Sequence, residues 1–154
     1  MDGNSLTEVP TNALNGPSAL RVFSLRNNLI RIVKSDAFAA QSQLEKIDLR
    51  HNRINQLEGN AFAQLEKIKE IYLAGNRIGH INSDVFAGIG TLQKLDLAEN
   101  FFDSFPVVAL REIQNIKVLN ISSNMIKQFD STHLQSLKLL QILDVSRNDI
   151  ASIS

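Results

Sequence analysis

The sequence predicts an α/β-type repeat solenoid. Short parallel β-strands line its concave face, and loops, turns and 3₁₀ segments return along the convex face with little true helix. Three observations predict it. Asparagine recurs at Asn4, Asn28, Asn52, Asn76, Asn100, Asn124 and Asn148, each 24 residues after the last, without insertion or deletion. Branched apolar residues hold the same phase on both sides of it. A large apolar residue, Phe in three units, marks the far side of each. A fixed period between 20 and 50 residues is the sign of stacked supersecondary units and outranks local signals.

Each unit begins at Leu20, Leu44, Ile68, Leu92, Ile116 or Leu140. Three residues on come Phe23, Ile47, Ile71, Leu95, Leu119 and Leu143, and two further Leu25, Leu49, Leu73, Leu97, Ile121 and Val145. That spacing of two puts both residues on one side of a strand, toward the core, with the residue between them on the concave surface. Parallel strands are expected near 21–25, 45–49, 69–73, 93–97, 117–121 and 141–145. The asparagine follows where the chain leaves the strand. Its short amide can both donate and accept, so it can satisfy backbone groups of its own and the neighbouring coil that would otherwise be buried unpaired. Ile30, Ile54, Ile78, Phe102, Ile126 and Ile150 then turn inward, followed by Val33, Leu57, Ile81, Phe105, Phe129 and Ile153. The return segment carries Leu14, Phe38, Phe62, Phe86, Leu110 and Leu134. One unit cannot bury its apolar face alone; stacking sets each residue against its equivalent.

The consensus L-x-x-L-x-L-x-x-N-x-L-x-x-L-x-x-x-x-F resembles the leucine-rich repeat along the whole chain. The 24-residue length and late Phe are similar to the "typical" subclass of Toll-like receptor ectodomains, Slit-type proteins, small proteoglycans and chaoptin-like adhesion proteins. The resemblance implies a right-handed horseshoe, an extracellular or cell-surface parent, and protein binding through the concave sheet or flank. Intracellular members have longer units with helical returns, unlike the Phe38, Phe62 and Phe86 segments here.

The 154 residues give about six units in one array, enough for cooperative stacking. Sixteen basic and sixteen acidic residues cancel, which makes no case for nucleic acid or an anionic membrane as partner. No stretch reaches the ~18 apolar residues of a membrane span. No signal peptide is expected at the start of this sequence, which opens as Met1-Asp2-Gly3-Asn4 on the turn of a repeat. Cysteine is absent, and the chain opens and closes in mid-unit. These features predict a capless internal fragment. Its ends then expose Leu6, Val9 and Leu14 on one side and Leu143, Val145, Ile150 and Ile153 on the other. Such ends favour self-association, as a homodimer or a stack.

Three concave columns are expected at the surface. They are Val22, Lys46, Glu70, Lys94, Val118 and Ile142; Ser24, Asp48, Tyr72, Asp96, Asn120 and Asp144; and Arg26, Arg50, Ala74, Ala98, Ser122 and Ser146. Lys46, Glu70 and Lys94 alternate in sign across three strands. Just after the asparagines stand Leu29, Arg53, Arg77, Phe101, Met125 and Asp149. Aromatic and arginine side chains beside carboxylates are the mixture found at protein–protein hot spots. The candidate partner-binding residues are therefore Arg50, Arg53, Tyr72, Arg77, Asp96, Phe101 and Met125. Asn120-Ile121-Ser122 is a glycosylation sequon; its Asn is equally readable as an ordinary strand residue.

Chemistry is not in view. His51, His80 and His133 occupy different phases of the repeat, so nothing assembles a metal site. No phosphate loop, dinucleotide fingerprint or nucleophile elbow occurs. Asp48 and Asp96 lie two strands apart, about 9–10 Å, on an open sheet without a cleft. No enzymatic activity and no cofactor are expected. The function expected is protein recognition by a receptor or adhesion protein. The alternative is a structural spacer or stacking scaffold.

Overall fold

In every coil three residues lie flat enough to pair with the next coil, and they pair in parallel. The computed structural model describes residues 1–16 and 18–153. Its strands are β1 (Val22–Ser24), β2 (Ile32–Val33), β3 (Lys46–Asp48), β4 (Gln56–Leu57), β5 (Glu70–Tyr72), β6 (Lys94–Asp96), β7 (Val118–Asn120) and β8 (Ile142–Asp144). Six of them form one sheet in the order β1-β3-β5-β6-β7-β8. The register is in phase with the period: Phe23, Ile47, Ile71, Leu95, Leu119 and Leu143 lie side by side. The strands are shorter than the sequence suggests. Backbone bonding nevertheless outlasts them, as where Leu49 donates to the Tyr72 carbonyl and His51 to that of Ala74.

A second, two-stranded parallel sheet pairs β2 with β4, where only loops were expected. Val33 and Leu57 point into the core and Ile32 and Gln56 outward, so alternation over two residues suffices. The return segments are single turns: 3₁₀ at Thr11–Leu14, Ser83–Phe86 and Ser131–Leu134, and one α turn, α1 (Val107–Leu110). Pro106 precedes α1, and its fixed φ suits a helix start. Each segment must rejoin the next strand within one coil, which leaves no length to repay helix nucleation.

The core is a set of columns running through the stack. Phe38, Phe62 and Phe86 are face-stacked at 5.8 and 6.0 Å between ring centres, with Phe23 edge-on to Phe38. The column continues as Leu110, and aromatic packing moves to Phe105, Phe129 and His133, 5.3–5.5 Å apart. Two expectations about the ends are corrected. Val9 and Leu14 are buried, because the first return segment folds under the second coil. Leu20 belongs to a core column but is 41% exposed, since β1 is the sheet edge and no strand covers its outer side. At the far end Leu143, Val145 and Ile150 are half-buried and Ile153 exposed. Gln41 replaces an aliphatic in the column Leu65, Ile89, Ile113, Leu137. It is buried, and its Nε2 donates to the Leu14 carbonyl at 2.5 Å, so it serves the irregular first return.

The asparagines stitch the coils together. Asn28, Asn52, Asn76, Asn100 and Asn124 are buried; Asn148, in the last coil, is half-buried. For Asn76, Oδ1 accepts from the Ile54 N–H at 3.0 Å. Its Nδ2 donates to the Leu49 carbonyl of the preceding coil at 3.0 Å and to its own coil's Leu73 carbonyl at 2.9 Å. The same bonds recur for Asn52, Asn100 and Asn124. In each case the amide binds backward, to the coil before. Asn76→Ala strands the Ile54 N–H in the interior and takes one of two amide donors from each of the Leu49 and Leu73 carbonyls, which keep Asn52 and Asn100. It is expected to cost roughly 1–3 kcal/mol, read as a lower urea midpoint with the slope unchanged; an unchanged midpoint would contradict the bonding described.

Candidate functional site

The residues flagged by the sequence fall on two surfaces. Arg50, Tyr72, Asp96 and Asn120 lie on the concave sheet. Arg53, Arg77, Phe101 and Met125 lie on the trailing edge, where each coil leaves the strand and turns inward.

The concave centre is more closed than expected. Asp48, Tyr72, Ala74 and Ala98 are buried rather than solvated. Tyr72 lies beneath three cations: Lys46 Nζ and the Arg50 guanidinium carbon are each 4.8 Å from its ring centre and Lys94 Nζ is 5.1 Å. Its hydroxyl donates to Glu70 at 2.6 Å, and Glu70 also pairs with Lys46 at 3.9 Å. Burial and the bond to Glu70 push the phenol above its ordinary value. Arg50 clasps Asp48 with two nitrogens, the closer at 2.6 Å, which raises the guanidinium above its usual range. A ring covered by cation–π contacts, with every nearby carboxylate engaged, is a packed feature of the sheet. Beyond it the concave face carries smaller side chains, with carboxylates and the Arg50 and Arg147 guanidiniums around one groove. Asp96, Asn120 and Asp144 line this shallow groove with Ala98, Ser122 and Ser146. Asn120 Oδ1 accepts from the Ser122 N–H at 3.0 Å inside the sequon. Desolvation raises the Asp96 carboxyl above the ordinary aspartate value, against the pull of its bond from the Ala98 N–H.

The trailing edge is different. Arg53, Arg77, Phe101 and Met125 are exposed, Phe101 by 54% and Met125 by 43%. Their backbones are tied coil to coil. The N–H of Arg53 donates to Ile30, of Arg77 to Ile54, of Phe101 to Ile78 and of Met125 to Phe102, all within 2.7–2.9 Å. The residue before each ladder asparagine is left-handed, with φ between 53° and 70° at Asn27, His51, Gly75, Glu99, Ser123 and Arg147. This turn aims the side chain after the asparagine outward. Only Gly adopts it at no steric cost, and Gly75 has a second reason: a Cβ there would lie 2.3 Å from His51 Nδ1, because the imidazole lies across it.

The sequence reading passed over the leading edge, where chains enter the strands. An open hollow there is lined by Glu45, Glu66, Lys67, Lys69, Gln93 and Lys117 among others. Lys69 and Arg21 both pair with Glu45. These columns stand just outside the L-x-L triplet, and reading the triplet alone misses them. Among the described residues no three His, Asp or Glu side chains gather as a metal set. Among them, too, no helix is long and apolar enough to cross a membrane.

Sheet, core columns and asparagine bonds all share one period, and the family described as leucine rich repeat matches residues 1–54, 42–102 and 90–150. The chain belongs to the leucine-rich repeat family. Its fold is similar to TLR13 in the TLR13–ssRNA13 complex, at 24% identity and TM-score 0.76, covering 97% of this chain and 24% of that one. It is similar also to human 5T4 (Wnt-activated inhibitory factor 1, trophoblast glycoprotein), at 24% identity and TM-score 0.81, covering 99% of this chain and 58% of that one. The leucine-rich repeat chain thus spans a quarter and somewhat over half of those two structures. Comparison with curated proteins gives no match.

Two outcomes follow from this geometry. Gly75→Ala forces a Cβ into the left-handed region and onto His51, and costs about 1–2 kcal/mol. His51→Ala in the same chain restores the steric part only, as thermal midpoints of the single and double variants would record. The raised Asp96 carboxyl means that the folded chain keeps a proton which the unfolded chain releases just above the ordinary value. Ionisation therefore counts against the fold, and this group's share of stability is lost as pH rises through that window. Asp96→Asn is expected to raise stability at neutral pH, by no more than about 0.5 kcal/mol for a half-exposed group. The gain disappears below the ordinary aspartate value, and denaturation at both pH values checks it.

Proposed function

We propose that this chain is a protein-recognition module of an extracellular receptor or cell-adhesion protein, and that its trailing edge carries the partner contact. One observation supports this above the others. Phe101 and Met125 are exposed in consecutive coils, beside Arg77, on a backbone fixed by coil-to-coil bonds. Aromatic and arginine anchors of this kind dominate binding energy where they occur. A rigid support lowers the ordering cost of using them. Tyr72, the aromatic of the concave centre, is already covered by Lys46, Arg50 and Lys94 and adds framing to the surface. Asn120 ends β7, the fifth of the sheet's six strands; a glycan there would shade the concave groove and leave the edge free.

The likeness to TLR13, solved with an RNA, makes nucleic acid the competing partner class. A protein partner is favoured because the chain's charges cancel and the concave Arg50 is spent on Asp48. The role involves no catalytic step and no cofactor. A second reading, a spacer or stacking scaffold that self-associates through its ends, is favoured by the last coil. There Leu143, Val145 and Ile150 are half-covered and Ile153 is 73% exposed.

The edge reading is tested by screening the immobilised chain against a panel of cell-surface ectodomains and repeating each hit with variants. Phe101→Ala and Met125→Ala are expected to weaken a true partner about tenfold or more, the loss of a ~1–2 kcal/mol anchor, with thermal midpoints unchanged. Binding that survives both variants but is lost on Asp96→Arg would move the contact to the concave groove.

A further inference from the structure

The trailing edge is a grid of six coils by three columns, the residues one before, one after and three after each ladder asparagine, and its charges are not randomly placed. The first three coils show Arg31, Arg53 and Arg77 and no carboxylate. The fourth shows Glu99, Phe101 and Asp103, all exposed. Arg77 stands next to the exposed Gly79, where no side chain rises beside it. Phe101 stands proud between its two carboxylates. A basic side chain beside a bare glycine and an aromatic framed by acids therefore occupy adjacent coils of one edge.

We infer that the partner fitting this edge is a second copy of the chain, docked edge to edge and antiparallel about a two-fold axis between the third and fourth coils. This deepens the edge reading given above and rests on it. A two-fold contact must be self-complementary: what one copy offers, the other receives, twice. With the axis there, Arg77 of each copy meets Phe101 of the other, a cation over a ring. Asp103 enters the space beside Gly79, and Glu99 meets His51, whose ring lies over Gly75. Arg53 falls on Met125. A parallel arrangement would instead set Arg77 on Arg77 and Glu99 near Asp103. In the antiparallel one no like charges meet squarely: at the rim Arg31 falls on Ala151 and Arg147 on Asn27. Six coils at ~4.8 Å span roughly 25 Å. The area is smaller than that of a standard interface, so association is weak and salt-sensitive, suited to copies held at high local concentration.

A charge swap tests it. One variant carries Arg77→Glu; the other carries Glu99→Arg with Asp103→Arg. Each alone sets like charges across the axis twice and is expected to lose self-association at least tenfold. Mixed, the two variants meet only opposite charges and are expected to regain it. Sedimentation over a concentration series at low and at 0.5 M salt gives the reading, with circular dichroism to show that both variants fold. An unaltered chain that stays monomeric at the highest soluble concentration overturns the inference. So does self-association that ignores the swap and Phe101→Ala but vanishes with Ile153→Asp, which would locate it at the end of the stack. If self-association fails while a distinct protein partner still depends on Phe101, the edge reading stands and only the second copy is lost.

Discussion

Everything in this molecule depends on one bond pattern, in which a buried amide joins two successive coils. A solenoid must turn sharply out of each strand, and a sharp turn leaves backbone donors and acceptors that no regular ladder can take up. The asparagine answers with one oxygen toward the N–H of the preceding coil and one nitrogen shared between carbonyls of both coils. Because the bonds run between coils, each turn fixes the next in height as well as in angle. A shift of register by one residue would break every asparagine pairing at once.

Around that ladder the packing is tolerant. The return side takes Phe38, Phe62 and Phe86 as stacked rings, then Leu110, then hands aromatic contact to Phe105, Phe129 and His133. It accepts 3₁₀ turns or an α turn in the same place, and in two coils a short extra strand pair just before it. The difference has a physical origin. Apolar packing is non-directional and scales with area, so several shapes fill the convex side equally well. Hydrogen bonding in the turn is directional, so one residue type holds that position in every unit.

This explains what the sequence discloses. The parallel sheet, its in-phase register and the core columns are legible because they recur every 24 residues. Strand length is not: coil-to-coil bonding and the in-phase columns run on past the three paired residues as far as the left-handed turn, which Asn27, His51, Glu99, Ser123 and Arg147 take as well as Gly75, with no common residue to announce it. Sidedness was legible for Phe101 and Met125. It failed for Asp48 and Tyr72: alternation assigns a side chain to a face but cannot foresee that Lys46, Arg50 and Lys94 fold over that face and cover it. The leading-edge lysines were missed because their column has no fixed residue type. Val9 and Leu14 were misplaced because the first return segment tucks beneath its neighbour.

The covering of Tyr72 bears on where recognition resides. A concave face offers a ligand the most area, yet at its centre this one is satisfied internally: Arg50 by Asp48, and Glu70 by Tyr72 and Lys46. A ligand settling there would first have to desolvate or break these pairs, and removing one member of a covered pair costs more than the pair contributes. The trailing edge asks no such exchange. Phe101 and Met125 leave about half of their surface open to solvent, so burying the rest is a gain against water. Their backbones are already immobile through bonds to the coil before, so little ordering opposes it. The same asparagine ladder that closes the interior thus holds the edge residues in line, and the fold and the proposed recognition rest on one device.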